Sequence, residues 1–217
     1  MSVIACYHPS SWTDWLVTSI AMNFQQTYNA LFNKNWRVKN YEKAFPLLIF
    51  AAKDGYPHAQ NLVGYAFDLG LAATRDAKKA VYWYKKAAKG GSAEGLYNLA
   101  LCYAKGRGVR KDDRKALHLY KRAAKKGHVQ ASCNLGVMYA EGAGTRPNLV
   151  LAVKSWRTAA RRDDPKAQYN LGSAYLDGEG VRRNKRLGVS WLQKAANNGH
   201  KRAAKEIRDL EYVHASK

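Results

Sequence analysis

The chain has 217 residues, of which 47% are hydrophobic, and it contains six Trp and fourteen Tyr. That is ample material for a buried core, which excludes a disordered or fibrous chain. With 37 Lys and Arg against 16 Asp and Glu, the formal net charge is +21. Such a field favours acidic proteins, nucleic acid or anionic lipid as partners.

The cysteines and the N-terminus bear on the compartment. Cys6, Cys102 and Cys133 are an odd number at no metal-ligand spacing, which argues against a disulfide framework or a zinc site and favours a reducing compartment. The apolar stretch at 15–22 follows no basic segment and is interrupted by Thr18 and Ser19, so it is typical of neither a signal peptide nor a membrane span. We therefore expect a soluble, intracellular protein.

The leader, residues 1–22, predicts a helix that covers one end of the fold. A Ser11-x-x-Asp14 capping pattern precedes four apolar residues on one helical face. These are Trp12, Trp15, Leu16 and Ile20. The alternative is a membrane-surface anchor, but such anchors are usually basic and the leader carries a net charge of −1.

From residue 23 onwards the sequence repeats with a period of 36, a signature of repeat architectures. A pair of alanines marks the interval at 51–52, 87–88, 123–124, 159–160 and 195–196. No insertion breaks the register, so we divide the chain into units 23–58, 59–94, 95–130, 131–166 and 167–202, followed by a closing segment, 203–217. The front half of unit 23–58 is degenerate.

Each unit predicts two helices joined by a Gly-x-Gly turn. In the first helix a small residue, a Leu or Val, a Gly or Ala and an aromatic residue recur at i, i+4, i+5 and i+8, which is one inward-packing stripe of a helix. In the last unit these residues are Ala167, Leu171, Gly172 and Tyr175. Pro57 and Pro165 share a column just before this helix, where a missing N–H costs nothing.

Recurring residues also frame the second helix. A column of Asp and Asn predicts N-caps; its members are Asn40, Asp76, Asp112, Asn148 and Asn184. A glycine column predicts left-handed C-terminal residues; it comprises Gly55, Gly91, Gly127 and Gly199, with Asp163 as the exception. Because such units cannot bury their apolar faces alone, they are expected to stack into an all-α solenoid of antiparallel two-helix repeats. Ile207 and Leu210 predict a capping helix in the closing segment.

The segments at 167–181 and 79–88 closely resemble the Sel-one-like repeat (SLR), a branch of the tetratricopeptide superfamily. The resemblance covers about residues 40–202 and implies a right-handed superhelix whose first helices line a concave surface. It also implies an adaptor that assembles protein complexes. Unit 59–94 departs from the pattern, with Ala72-Ala73 where other units have Gly-Val or Gly-Thr. The regular cysteine pair of some bacterial relatives is missing, which argues against an oxidised, secreted protein.

The sequence carries no recognisable catalytic or metal-binding motif. The six His are scattered, and His128 and His200 share a repeat column after the glycine, which favours a structural role. The Gly-x-Gly turns recur with the repeat instead of opening a βαβ unit. We therefore predict no catalytic residues, no bound metal, no cofactor and no enzymatic activity.

Two sets of residues are candidates for partner binding. One is an amide column on the first helices: Asn98, Asn134 and Asn170. It is expected either to form a concave ladder for an extended peptide backbone or to bond between neighbouring helices. The other set is basic and lies around two of the turns between helices: Lys105, Arg107, Arg110, Lys111, Arg114 and Lys115 in one, and Arg182, Arg183, Lys185 and Arg186 in the other. It is expected either to contact anions on a partner or to be a solvated face.

These features support two hypotheses. The first is a non-enzymatic protein-binding scaffold that grips an acidic or extended partner segment, steered by its positive field. The alternative is a nucleic-acid-associated structural protein, in a ribonucleoprotein or a virion, that binds phosphates without reading sequence. The Tyr column and Trp83, Trp156 and Trp191 lie at helical spacing, which indicates inter-helix core and not base-stacking platforms. The partner and the oligomeric state are not encoded in any pattern that we find, and no feature favours a membrane partner.

Overall fold

The computed structural model describes residues 41–71 and 73–215, which form ten helices and no strand. In chain order they are α1 (Tyr41–Lys53), α2 (Pro57–Leu69), α3 (Ala77–Lys89), α4 (Ala93–Lys105), α5 (Asp113–Lys125), α6 (Val129–Glu141), α7 (Leu149–Ala160), α8 (Pro165–Asp177), α9 (Lys185–Asn197) and α10 (Lys201–Ala215). The predicted fold class, a right-handed all-α solenoid of antiparallel two-helix repeats, is confirmed. The predicted leader helix and the front half of the first unit lie outside the described residues, as does the predicted cap Asn40.

Packing in the solenoid is between neighbours. Each even-numbered helix from α2 to α8 packs on the helix that follows it, and that helix packs in turn on the first helix of the next unit. Contacts therefore propagate along the chain as in other stacked repeats. The last helix, α10, begins at Lys201, two residues before the predicted closing segment, and its Ile207 is buried with Leu192 and Ala203.

The predicted caps of the second helices are present in all four described units. The side-chain oxygens of Asp76, Asp112, Asn148 and Asn184 each accept a hydrogen bond from the backbone N–H three residues on, at 2.9–3.0 Å. Each such cap contributes about 1 kcal/mol to stability. The backbone N–H groups of the first turn are thereby partly satisfied.

The predicted left-handed residues after the second helices are also confirmed. Gly55, Gly91, Gly127 and Gly199 have φ between +84° and +95°. Asp163 takes the same place with φ +60°, the only non-glycine residue with positive φ in the described part of the chain. Its Oδ1 accepts a hydrogen bond at 3.1 Å from Nε2 of Gln168, a fully buried side chain. This bond offsets part of the strain that a side chain brings to that conformation.

The first helices begin earlier than expected. Pro57 and Pro165 are the first residues of α2 and α8 and do not precede them, which corrects the prediction. A second capping column stands before these helices and was missed. Its members accept a hydrogen bond from the N3 backbone N–H: Ser92, His128, Asp164 and His200. The structural role predicted for the two histidines is thus confirmed, with Nδ1 as the acceptor.

The second glycine of each Gly-x-Gly turn packs against the previous unit. Gly108, Gly144 and Gly180 have φ of +67°, +73° and +67°. A Cβ on Gly144 would collide with the backbone carbonyl of Asp113, the first residue of α5, and the other two meet the corresponding residues of α3 and α7. Glycine is therefore needed both for the left-handed conformation and for this close approach.

Among the described residues the buried apolar side chains form three clusters along the stack, and the largest extends from α3 to α8. Ala167 and Leu171 are fully buried, and Tyr139 and Trp156 are more than nine-tenths buried. A Cβ on Gly136 would overlap the indole of Trp156, so the glycine column lets a large ring lie directly on the helix backbone. The aromatic columns therefore serve packing.

Candidate functional site

The amide column is only partly available to a partner. Asn98 on α4 donates from Nδ2 to Oδ1 of Asn61 at 2.9 Å, and Asn134 on α6 donates from Nδ2 to the hydroxyl of Tyr120 at 3.2 Å. These are bonds between helices, the second of the two roles expected for this column. Asn170 on α8 lines two surface cavities and, among the described residues, makes no side-chain hydrogen bond.

The first basic turn joins α4 and α5 and surrounds a cavity of about 750 Å³. Four cations line it, together with two carboxylates. Lys115 pairs with Asp112 at 3.0 Å and Lys111 with Asp113 at 3.4 Å. Arg110 and Arg114 are exposed and form no ion pair with any described residue, so the lining carries a surplus of two positive charges.

Asp112 illustrates the electrostatics of this turn. Hydrogen bonding from the backbone N–H of Lys115, followed by bonding from its ammonium group, lowers the pKa of the Asp112 carboxyl. The hydrogen bond from the Lys115 ammonium group to the Asp112 carboxylate also raises the pKa of Lys115. Both groups are therefore charged at neutral pH, and each neutralises the other locally.

Two of the predicted contact residues are used by the fold. Arg107, in the turn after α4, forms an ion pair with Asp68 on α2 and is only partly exposed. Arg183, in the second basic turn, donates from Nε to the carbonyl of Leu176 at the end of α8, at 2.8 Å. The other predicted cations are exposed: Lys105, Arg182, Lys185 and Arg186.

A second basic cavity, of about 450 Å³, lies between α6, α8 and α10, the first helices of two units and the closing helix. It brings Asn134 and Asn170 together with Lys166, Lys201 and Arg202. These three cations were not predicted because each looks like an ordinary surface charge at a helix start. The available signal was that Lys166 and Arg202 share a repeat column, one period apart.

The two described cysteines are buried and unpaired. Burial raises the pKa of Cys102 to about 11 and that of Cys133 to about 12. Such thiols are almost wholly protonated at neutral pH and are poor nucleophiles. In residues 41–71 and 73–215, no three His, Cys, Asp or Glu side chains are grouped so that they could hold a metal ion. None of the described helices is long and apolar enough to cross a bilayer.

The fold and these surfaces define a tandem-repeat solenoid with charged grooves. The Sel1 repeat model matches the chain five times, at residues 37–56, 57–92, 93–128, 129–164 and 165–200, and the chain belongs to this family. The resemblance drawn from the sequence is confirmed. Sel1 repeat proteins generally act as protein-interaction scaffolds.

Solved structures of similar proteins agree with this assignment. A Sel1 repeat protein from Oxalobacter formigenes is 31% identical, with a TM-score of 0.72, over 78% of this chain and 49% of that one. The protective antigen c5321 of uropathogenic Escherichia coli strains, which displays an SLR fold, is 27% identical, with a TM-score of 0.77, over 84% of this chain and 41% of that one. A Sel1 repeat protein from Klebsiella pneumoniae shares the fold at 23% identity and a TM-score of 0.56, over 87% of this chain and 98% of that one. This chain thus spans less than half the length of the first two proteins.

Proposed function

We propose that this protein is a non-enzymatic scaffold that binds an acidic or extended segment of another protein. The observation that carries the proposal is the unbalanced positive charge of the α4–α5 turn. There Arg110 and Arg114 line a cavity and are paired with no carboxylate of the described residues. The general role of the Sel1 family supports a protein as the partner.

Charge would act on the encounter as well as on the complex. A net charge of +21 attracts an acidic partner over distances of about a Debye length, roughly 8 Å at physiological ionic strength. Exposed cations contribute modestly to stability, so the fold can carry them at little cost. Complementary charge raises the rate of association more than it raises final affinity.

The thiols support a location inside the cell. Cys102 and Cys133 lie in separate helices, α4 and α6, and form no disulfide within the described part of the chain. Proteins in oxidising compartments usually use their cysteines as disulfides. We place the protein in a reducing, intracellular compartment on this ground.

The test is affinity capture from native lysate, with and without nuclease, using the wild-type chain and two charge-reversed variants. Arg110→Glu with Arg114→Glu alters the turn, whereas Lys154→Glu with Lys205→Glu makes the same change in net charge at exposed sites away from it. We expect the same acidic proteins to be recovered by the wild type and by the control pair after nuclease treatment, and to be lost with the turn pair. Equal recovery by both pairs would show that the turn is not the contact.

The same experiment tests whether the partner is nucleic acid instead of protein. The Tyr and Trp columns are engaged in the core, so they provide no row of free rings for stacking bases. The proposal would be contradicted if nucleic acid is recovered without nuclease and no protein partner remains bound after nuclease treatment. In that case binding would fall steeply with salt, because each neutralised phosphate releases counterions.

A further inference from the structure

The cavity between α6, α8 and α10 combines positive charge, an apolar wall and two members of the predicted amide column, Asn134 and Asn170, whereas its cations were not among the predicted contacts. We propose that it receives an extended acidic peptide segment, with one apolar side chain against the apolar part of the wall, which includes Val137, and carboxylates beside Lys166 and Lys201. The inference rests on the proposed function and assigns the partner segment a site distinct from the α4–α5 turn.

The charge of this cavity is positive and largely uncompensated. Lys166 and Lys201 are exposed and form no ion pair with any described residue. Arg202 is shared, because its Nε bonds to Oε1 of Glu206 at 3.2 Å. No carboxylate of the described residues lines the cavity. The nearby Asp164 is buried and occupied by the backbone N–H of Ala167 at 2.8 Å. Two free ammonium groups thus face a space with room for a carboxylate.

Two amides face the same space. Asn134 lines the cavity and donates from Nδ2 to the hydroxyl of Tyr120, while its Oδ1 accepts no hydrogen bond from a described residue. Asn170 has neither amide group engaged by a described residue. An extended peptide offers alternating N–H and C=O groups that match such side chains. A compact inorganic anion would use the ammonium groups but not these acceptor oxygens.

Most of the wall is apolar. Tyr169 stacks on His200 with ring centroids 4.4 Å apart, and the guanidinium of Arg202 lies 5.3 Å above the Tyr169 ring. The Tyr169 hydroxyl is held by Glu206 at 2.8 Å, so the ring is fixed from both sides. Val137 also lines the cavity, so this wall favours a ligand that brings an apolar side chain as well as charge.

An adjoining cavity of about 430 Å³ sets a limit on the ligand. It shares Tyr169, Asn170 and Arg202 with the basic cavity but is lined by Asp177, Glu179 and Glu206. Because like charges in contact are repelled, acidic ligand residues are confined to the α6 side. A segment that continues into the adjoining cavity needs neutral or basic residues there.

The experiment measures fluorescence anisotropy of the full chain with fluorescein-labelled peptides EEFEE, EESEE and KKFKK. The salt concentrations are about 50 and about 150 mM, on either side of the roughly 0.1 M at which the Debye length is about 10 Å. Lys166→Glu with Lys201→Glu removes the proposed contacts, and Lys154→Glu with Lys205→Glu is the matched control of equal charge change. Asn170→Leu tests the amide separately. Circular dichroism and thermal unfolding establish that each variant is folded.

We expect EEFEE to bind more tightly than EESEE, and KKFKK not to bind. The Lys166 and Lys201 reversals should weaken EEFEE by about tenfold or more, whereas the control pair should change affinity less than about threefold, the part that net charge alone supplies. Asn170→Leu should weaken EEFEE without changing the salt dependence.

The inference is overturned if EEFEE does not bind, if EESEE binds equally well, or if both charge-reversed pairs weaken binding alike. The Arg110→Glu with Arg114→Glu variant is measured in the same assay, and loss of EEFEE binding in that variant alone would also overturn the inference while leaving the proposed scaffold function intact. If the lysate capture fails but EEFEE binds specifically, the proposed scaffold function is overturned and the peptide-binding cavity is retained.

Discussion

Nη1 of Arg107 lies 3.1 Å from Oδ2 of Asp68, so the turn after α4 is tied by an ion pair to α2 of the previous unit. The side chain of Asp68 is 9% exposed and that of Arg107 is 33% exposed. A residue that the sequence groups with the free cations therefore stabilises the boundary between two repeats. The neighbouring Arg110 has no such partner among the described residues, although the two arginines are three positions apart.

Removing this arginine should destabilise the fold. In Arg107→Ala the largely buried Asp68 carboxylate loses its cation, and we expect a loss of about 1–3 kcal/mol in the free energy of unfolding. Arg110→Ala is the control and should stay within about 0.5 kcal/mol of wild type. Urea unfolding measures both, and equal stability of the two variants would show that the ion pair contributes nothing.

The Gly-x-Gly turn should tolerate no side chain at its second glycine. Gly199→Ala places a methyl group in a left-handed residue with nothing within 4 Å, and should cost about 1–2 kcal/mol. Gly144→Ala has the same conformational penalty plus a collision with the Asp113 carbonyl, which should add about 1–3 kcal/mol. Thermal unfolding of the two variants gives the difference directly. If Gly144→Ala is as stable as Gly199→Ala, the backbone at Gly144 does not approach Asp113 as closely as described.

The histidine caps make stability depend on pH. Burial is the main cause that lowers the pKa of both His128 and His200, and the Nδ1 atoms must be unprotonated to accept from Ala131 and Ala203. The unfolded chain then binds protons more readily than the folded chain. Stability is therefore full above the unfolded pKa of about 6.5 and is lost as the pH falls below it, by at most about 1.4 kcal/mol per pH unit for each histidine.

Urea unfolding at several pH values between 7.5 and 5, a range that spans the pKa of about 6.5 of an unfolded histidine, measures this slope. The variant His128→Asn with His200→Asn keeps a capping oxygen but cannot titrate, so its slope should be shallower than that of the wild type. The exposed His118 supplies the control, and His118→Asn should leave the slope unchanged. An unaltered slope in the double variant would remove the caps as its cause.

The two buried thiols should resist modification until the chain unfolds. In a Cys6→Ser background, which leaves only Cys102 and Cys133, burial holds both pKa values at about 11 or above. At pH 8 we expect the reaction with a disulfide reagent to be slower than in denaturant by about a hundredfold or more, because the thiolate is the reacting form. A native rate close to the denatured rate would show that the helices holding these thiols open readily.

Much of the architecture was predictable because its determinants are local. The caps Asp112 and Asn148 act on N–H groups three residues away, and the left-handed glycines act on their own backbone. A fixed period then copies each local rule along the chain. The same logic failed for His128, because histidine is not among the usual N-cap residue types. It also failed for Pro57, where the helix begins one residue sooner than predicted.

The sequence by itself determined the repeat, the helical hairpins, the aromatic core and the excess of positive charge, since these follow from periodicity and composition. Only the tertiary structure decided which charged groups are spent on the fold and which remain free. Arg107 and Arg110 are equivalent in the sequence, and only the position of Asp68 on another helix separates them. Likewise Asn134, Lys166 and Lys201 belong to three different helices, and the stacking of units brings them to one cavity. A side chain's local sequence does not record its partner when that partner is a whole repeat away.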